Sequence, residues 1–249
     1  MIRQHNVSAL LMGGQACVLY GAAEYSRDLD LAVLSGARAL PRLATALQAL
    51  NAKVIAVPPF EKRWLDRGHA VHFSIPGDSG RTLRVDVMSQ MRGVDAFADL
   101  WDRRLEVELP AMEGSEAVPV AVMALEDLVC AKKTQRDKDW PMIRRLVDAS
   151  YVAGREDARN ERRVRFWLSE LRSPEFLAEL VTDEPQRAAE SRRPAVIAAR
   201  NGDDVSTALA AEQQHEMAAD RAYWAPLRRE LEQLRHEARR GLRDDTSSS

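Results

Sequence analysis

Apolar and polar positions alternate along short runs in the first half of the chain. The runs over 28–34, 70–75 and 82–88 have this two-residue period, which predicts half-buried β-strands. A tract of Pro, Gly, Asp and Ser over 76–80 separates the last two runs and predicts the turn of an antiparallel hairpin. Three other short apolar runs predict further strands, over 53–57, 105–109 and 118–122.

Helical spacing interrupts these runs. A short strand or turn leads from Val7 into a helix that begins at Gly13-Gly14. Four leucines over 37–50 recur at spacings of three and four residues, which predicts an amphipathic helix. The alternation of helices with strands and a hairpin favours a mixed β-sheet with helices packed on it, an α+β fold.

The second half of the chain has helical character throughout. A helix begins near residue 124, and Pro141 with Asp139 as N-cap marks the start of the next. Later helices are predicted over 162–171, 175–181, 194–200, 206–219 and 223–242. We therefore predict a core over 1–122, a helical region over 123–245 that completes a cleft, and a disordered tail over 246–249.

Charge and cysteine content narrow the class of protein. The 249 residues include 36 Lys and Arg against 38 Asp and Glu, a formal charge of −2, which argues against coating nucleic acid by bulk charge but leaves a local basic groove open. Cys17 and Cys130 lie in apolar surroundings without metal-ligand spacing, as buried free thiols do in a reducing compartment. Because no apolar run is long enough for a signal peptide or membrane span, we expect a cytoplasmic protein without membrane contact.

Candidate chemistry is concentrated between residues 13 and 30. Thirteen residues separate Gly14 from Asp28, and Asp30 follows two positions later. On a strand the two carboxylates share one face, where they repel each other unless a hard cation with oxygen ligands lies between them. A Gly pair that opens a helix lets backbone N–H groups approach a phosphate. Such a pair of acids alone is also typical of a solvated strand edge, but the combination indicates phosphoryl or nucleotidyl transfer.

This arrangement resembles the nucleotidyltransferase superfamily, which has the DNA polymerase β-like fold. Its signature is a Gly pair, a spacer of about a dozen residues, Asp-x-Asp, and a third carboxylate on a later strand, for which Asp86 is the candidate. The resemblance implies that Asp28 and Asp30 hold Mg²⁺ on a nucleoside triphosphate. It also implies that Asp86 shares a metal ion or takes the proton from the attacking hydroxyl.

A downstream charged motif narrows the resemblance. Leu-Glu-Asp-Leu over 125–128, followed by Lys132, Arg136, Lys138 and Asp139, is similar to a motif of the bacterial type IV toxin-like nucleotidyltransferases, the group around abortive-infection toxins. In that group a Lys and an Asp of this motif complete the active site. The resemblance implies that the cations offset charge on the triphosphate. A solvated charged helix face remains the alternative for each residue taken singly.

One departure from the group lies just before the metal-binding strand. Glu24 stands where many members have Arg, and Ser26 stands where they have Thr. The Ser26 hydroxyl is still suited to donate to a phosphate, and with Gly13 and Gly14 it is expected to position the β- and γ-phosphates. The departure leaves the preferred nucleotide and acceptor open.

The predicted function is Mg²⁺-dependent transfer of a nucleoside monophosphate from a nucleoside triphosphate to an acceptor hydroxyl. The resemblance implies that the acceptor is RNA such as tRNA, or protein. It also implies a possible role as the toxin of a toxin–antitoxin pair, and an antitoxin partner is expected only in that case. Two alternatives stay open: a small-molecule nucleotidyltransferase of the antibiotic-modifying kind, and an inactive protein that binds nucleotide or protein. His69, His72 and Trp224 are expected to be structural. The oligomeric state is left open.

Overall fold

The fold is mixed α+β, as the alternation of patterns predicts. A computed structural model describes residues 2–77, 80–110, 117–156 and 160–247, the last seven of them by backbone alone. This part of the chain forms seven strands in one sheet and eleven helices. The helices of the second half follow the sheet in the chain and also border its central strands.

The sheet contains parallel and antiparallel neighbours. Its strands lie in the order β3-β4-β5-β2-β1-β7-β6, with β2–β5 and β1–β7 parallel and the other neighbours antiparallel. The predicted hairpin is confirmed as β4–β5, although two residues of its turn, Asp78 and Ser79, lie outside the described residues. The strands are β1 (Ala9–Met12), β2 (Asp28–Val33), β3 (Lys53–Val54), β4 (Val71–Pro76), β5 (Thr82–Met88), β6 (Leu105–Leu109) and β7 (Val118–Val122).

The helices divide between the sheet and a C-terminal array. Of the described helices, α8, α9 and α10 begin at a proline, whose missing N–H has no helical partner in the first turn. The helices are α1 (Gly13–Leu19), α2 (Ala39–Ala49), α3 (Lys62–Asp66), α4 (Phe97–Arg103), α5 (Leu125–Lys132), α6 (Asp139–Gly154), α7 (Glu161–Glu170), α8 (Pro174–Asp183), α9 (Pro185–Glu190), α10 (Pro194–Asn201) and α11 (Val205–Ser247).

Several boundaries differ from the sequence prediction. Helix α6 begins at Asp139 rather than Pro141, with Lys138 as its N-cap. The two helices predicted over 206–219 and 223–242 are one helix, α11, which continues through Pro226. Proline removes one backbone hydrogen bond, but contacts on both sides of it hold α11 in place. The predicted tail over 246–249 begins within α11, and its last two residues lie outside the described part.

The core lies on the central strands and continues into the helices. Leu10, Val33 and Val87 on three strands are almost fully buried, as are Ile143 and Trp167 on α6 and α7. Each helix of the second half packs against its neighbours, α5 on α6, α6 on α7, α7 on α8 and α10 on α11. Within the described residues, no helix has both the length and the apolar character needed to cross a lipid bilayer.

Candidate active site

A single cleft contains all ten residues that the sequence analysis selected. It has a volume of about 610 Å³ and lies between the central strands, the segment joining α5 to α6, and α11. The structure thus brings together positions more than a hundred residues apart in the chain. The selected residues that line it are Gly13, Gly14, Ser26, Asp28, Asp30, Asp86, Lys132, Arg136, Lys138 and Asp139.

The Gly pair meets the β2 carboxylates at very short range. The Gly14 N–H donates to Asp30 Oδ2 over 3.4 Å, and a Cβ at Gly13 would lie 1.8 Å from the same oxygen. Gly13 also has φ +65°, which L-residues rarely adopt. A Cβ at Gly14 would come within 2.3 Å of Ser26 Oγ. Only glycine leaves room for both side chains.

The loop that carries Ser26 is tied to α1 and to β2. Gln15 Nε2 donates to the Ser26 carbonyl over 2.8 Å, and Ser26 Oγ donates to the Asp28 carbonyl over 3.2 Å. These two bonds place the hydroxyl between the Gly pair and the first carboxylate. The Ser26 hydroxyl proton is thus donated to the Asp28 carbonyl and not to the cleft.

Strand register brings the three carboxylates to one face of the sheet. In the parallel pair β2–β5, Asp30 is opposite Asp86, and Asp28 is opposite Arg84. Burial raises the pKa of Asp30, and the charges of Asp86 and Asp28 raise it further. The Gly14 N–H and the Lys132 ammonium oppose these effects without cancelling them. The Asp30 carboxylate is thus short of positive charge.

Asp86 has a different environment. His72 Nδ1 lies 2.8 Å from Asp86 Oδ1 and 3.1 Å from Arg84 Nη2, and in the tautomer with a proton on Nδ1 it donates to the carboxylate, which only accepts. Arg84 donates from Nε to Oδ1 over 2.9 Å and from Nη2 to Oδ2 over 3.1 Å. Burial would raise the pKa of Asp86, but the hydrogen bonds from His72 and Arg84 outweigh it and hold that pKa below its usual value.

The charged motif forms a second wall, organised by a buried acid. Asp139 is 4% exposed and accepts from Thr134 Oγ1 and from Arg136 Nε over 2.7 Å. Lys132 Nζ lies 3.6 Å from the other oxygen of Asp139. Asp139 therefore orients Lys132 and Arg136, while Lys138 is exposed at the cleft edge.

Helix α11 supplies a third wall that the sequence analysis did not assign to the site. Asp220 is 2% exposed and accepts from Gln135 N–H over 2.8 Å, from Trp224 Nε1 over 3.1 Å and from Arg92 Nε over 3.3 Å. Arg228, two turns beyond Asp220, donates to the Gln135 side chain. The spacing of Asp220, Trp224 and Arg228 by four residues was a visible sign of one helix face.

Two further residues were placed in other roles or passed over. His72 was expected to be structural, and the structure shows that it contacts Asp86. The alternation along β5 had put Arg84 on the same face as Asp86 but gave it no role, and Arg84 donates to Asp86. The sequence pattern indicated that Arg84 and Asp86 share a face of β5. It did not give the register of β4 against β5, which sets His72 opposite Asp86.

The donor set of the cleft suits a magnesium ion that a substrate helps to bind. In the described part of the chain, no three His, Cys, Asp or Glu side chains converge closely enough to form a metal cage. Mg²⁺ rarely uses such a cage; it takes one or two carboxylates, water and substrate phosphate oxygens. Asp28 and Asp30 are oxygen donors on one face, Asp30 is short of positive charge, and the glycines leave space beside it. These residues fit that ion.

Comparison with solved structures yields distant similarity. No family model matches the chain, and no curated protein matches it. Among the solved structures that match is ANT(2")-Ia in complex with adenylyl-2"-tobramycin. The two chains share 15% sequence identity with a TM-score of 0.32, and the match covers 75% of this chain and 91% of that one. This likeness is too low to define a family, so the class of this protein is inferred from the cleft itself.

Proposed function

We propose that the protein is a nucleotidyltransferase, which moves a nucleoside monophosphate from a nucleoside triphosphate to an acceptor hydroxyl. The observation that carries this proposal is the meeting of Asp28 and Asp30 with Gly13 and Gly14 in one cleft. Asp30 lies where only glycine leaves room, and burial with the nearby charges of Asp86 and Asp28 raises its pKa, so a cation beside it would stabilise its charged form. A solvated strand edge would have neither property.

The chain's own groups have separate tasks in this proposal. Asp28 and Asp30 would hold Mg²⁺, which when bound offsets charge on the triphosphate and on the leaving pyrophosphate. Lys132 and Arg136, oriented by Asp139, lie on the wall facing them and would neutralise phosphate oxygens. Ser26 and the Gly pair would position the β- and γ-phosphates. Asp86 would be the third carboxylate of the site, beside Asp28 and Asp30.

The acceptor side of the cleft favours a polyanion. Lys138 and Arg228 are exposed cations at its edge. The two acids of α11 nearest to it are occupied, Asp220 as described and Glu216 by Arg92 Nη2 over 2.8 Å. We therefore propose RNA, such as a tRNA end, as the acceptor. A cationic antibiotic would need acids that are not already paired.

The direct test is transfer of label from each α-³²P nucleoside triphosphate, with Mg²⁺, into RNA and protein of a bacterial lysate. We expect label in RNA with the intact protein and none with an Asp28→Asn/Asp30→Asn double variant. Label in protein would move the proposal to a protein acceptor, and only an RNA or protein target would justify a search for an antitoxin. Label in an added aminoglycoside alone would support the small-molecule alternative.

A glycine pair of variants separates loss of the site from loss of the fold. Gly13→Ala and Gly21→Ala both place a side chain at a positive φ, at opposite ends of α1. A Cβ at Gly21 meets nothing within 4 Å, whereas one at Gly13 meets Asp30. We expect Gly13→Ala to lose at least about tenfold in transfer rate, corresponding to about 1.4 kcal/mol, and Gly21→Ala to keep the transfer rate of the parent protein.

If the parent protein labels no acceptor and shows no Mg²⁺-dependent nucleotide binding, the alternative of an inactive binding protein is left.

A further inference from the structure

Four side chains form a square on the cleft face of the sheet. Asp28 and Asp30 stand on β2, and their register partners on β5 are Arg84 and Asp86. Neighbouring strands lie about 4.8 Å apart, so side chains on the same face of β2 and β5 are close neighbours. Three corners of the square are therefore carboxylates, and the fourth is a guanidinium.

Arg84 takes up most of the lone pairs of Asp86. Asp86 Oδ1 already accepts from His72 and from Arg84 Nε, and Oδ2 accepts from Arg84 Nη2. A carboxylate oxygen accepts about two hydrogen bonds, so Oδ1 is filled and Oδ2 has one position left. The two-point contact of Arg84 is the strong, planar kind that arginine makes with carboxylates.

The carboxylates differ in what they need. Asp86 accepts hydrogen bonds from Arg84 and His72, whereas among the described residues Asp30 accepts one long bond, from the Gly14 N–H. Arg84 donates to both oxygens of Asp86 and is the register partner of Asp28. One divalent cation at Asp28 and Asp30 together with this guanidinium offsets the three carboxylate charges.

We propose that Arg84 takes the place of a second metal ion. The site then binds one divalent cation, at Asp28 and Asp30, and the guanidinium of Arg84 is the second cation, at Asp86. This inference rests on the proposed nucleotidyl transfer. A two-metal site needs Asp86 to bridge or bind the second ion. Here the guanidinium occupies that carboxylate from the cleft side, with 45% of its side chain exposed to the cleft and solvent.

The number of bound ions tests this directly. Equilibrium dialysis with Mn²⁺ and a nucleoside triphosphate analogue bridged by a methylene between the α- and β-phosphorus gives ions and nucleotides per chain without turnover. We expect one ion per bound nucleotide in the parent protein and two in Arg84→Ala and Arg84→Gln. The double variant Arg84→Ala/Asp86→Asn should return to one. Arg81→Ala, an exposed arginine in the turn just before β5, is the control and should stay at one.

Each other outcome is informative. Two ions in the parent protein, or one ion in both Arg84 variants, would overturn the inference while leaving nucleotidyl transfer in place. Loss of nucleotide from both variants, with unchanged thermal unfolding, would make Arg84 a nucleotide ligand and also overturn it. If the parent protein retains neither ion nor nucleotide, the proposed function fails, and the inference fails with it.

Discussion

At the scale of single residues, Asp30 and Asp86 show how two neighbouring acids acquire opposite roles. They are register partners on adjacent strands, yet Asp86 is held by Arg84 and His72, while among the described residues Asp30 accepts one long bond, from the Gly14 N–H. Ionised Asp86 therefore stabilises the fold, whereas ionised Asp30 opposes it. This difference supports the proposed placement of a cation at Asp30 rather than at Asp86.

The two acids should respond oppositely to neutralisation. In metal-free protein near pH 7, we expect Asp30→Asn to raise the melting temperature, because it removes a charge that the fold disfavours. Asp86→Asn should lower the melting temperature, because Arg84 and His72 lose their anion. Asp203→Asn, an exposed acid, is the control and should change nothing. Thermal unfolding with a chelator present measures all three.

The pH dependence follows from the directions of the shifts. The pKa of Asp30 is raised above the ordinary 3.8, so the advantage of Asp30→Asn should begin to fall as the pH drops through that raised pKa and should be gone near pH 3.8. The pKa of Asp86 is below 3.8, so its contribution persists to lower pH and the deficit of Asp86→Asn should outlast the other effect. A common pH window for both variants would contradict this account.

At the scale of elements, α11 links the helical half of the chain to the sheet. Through Asp220 it binds the segment between α5 and α6 and Arg92 after β5. Farther along, Glu230 accepts from Arg67 and contacts His69 Nε2 at 2.6 Å, beside β4. These contacts on both sides of Pro226 explain why α11 remains one helix. They also make it the third wall of the cleft.

Removing the acid at the centre of these contacts should loosen that wall. We expect Asp220→Ala to lower the free energy of unfolding by about 2 to 3 kcal/mol, because Arg92 and two N–H groups lose a buried acceptor. Glu237→Ala, an exposed acid on the same helix, should change it by less than about 0.5 kcal/mol. Urea unfolding of both variants measures the difference. Equal effects would mean that Asp220 does not anchor α11.

At the scale of the whole molecule, the cleft is assembled from parts that lie far apart in the chain. The sheet contributes the carboxylates, the end of α5 and the segment after it contribute Lys132 and Arg136, and α11 contributes Asp220 and Trp224. A nucleotide bound there would contact the core and the helical region together. Binding should therefore stabilise the molecule as a unit.

Thermal unfolding with ligand tests this unity. At a Mg²⁺–nucleotide concentration about 100 times Kd, binding adds about 2.7 kcal/mol to the free energy of unfolding. For a chain of this length that is a rise in melting temperature of roughly 5 to 10 °C. One cooperative transition should move, and the Asp28→Asn/Asp30→Asn variant should not respond. Two transitions, only one of them shifted, would show that the halves bind and unfold separately.

Sequence alone determined the local features of this protein. Alternation along β2 places Asp28 and Asp30 on one face, because residues two apart on a strand always share a side. The Gly pair and the cations of the downstream motif were also visible, and all of them line one cleft. The sequence did not determine boundaries such as the start of α6, or the continuity of α11 through Pro226.

Tertiary structure decided which of these residues meet and what each acid requires. The register of β5 against β2 and β4 sets Arg84 and His72 around Asp86, and no local pattern encodes the register of strands distant in the chain. The docking of α11 makes Asp220 and Trp224 part of the cleft. Local periodicity depends on neighbouring residues only, whereas the charge environment of a carboxylate depends on every element packed around it.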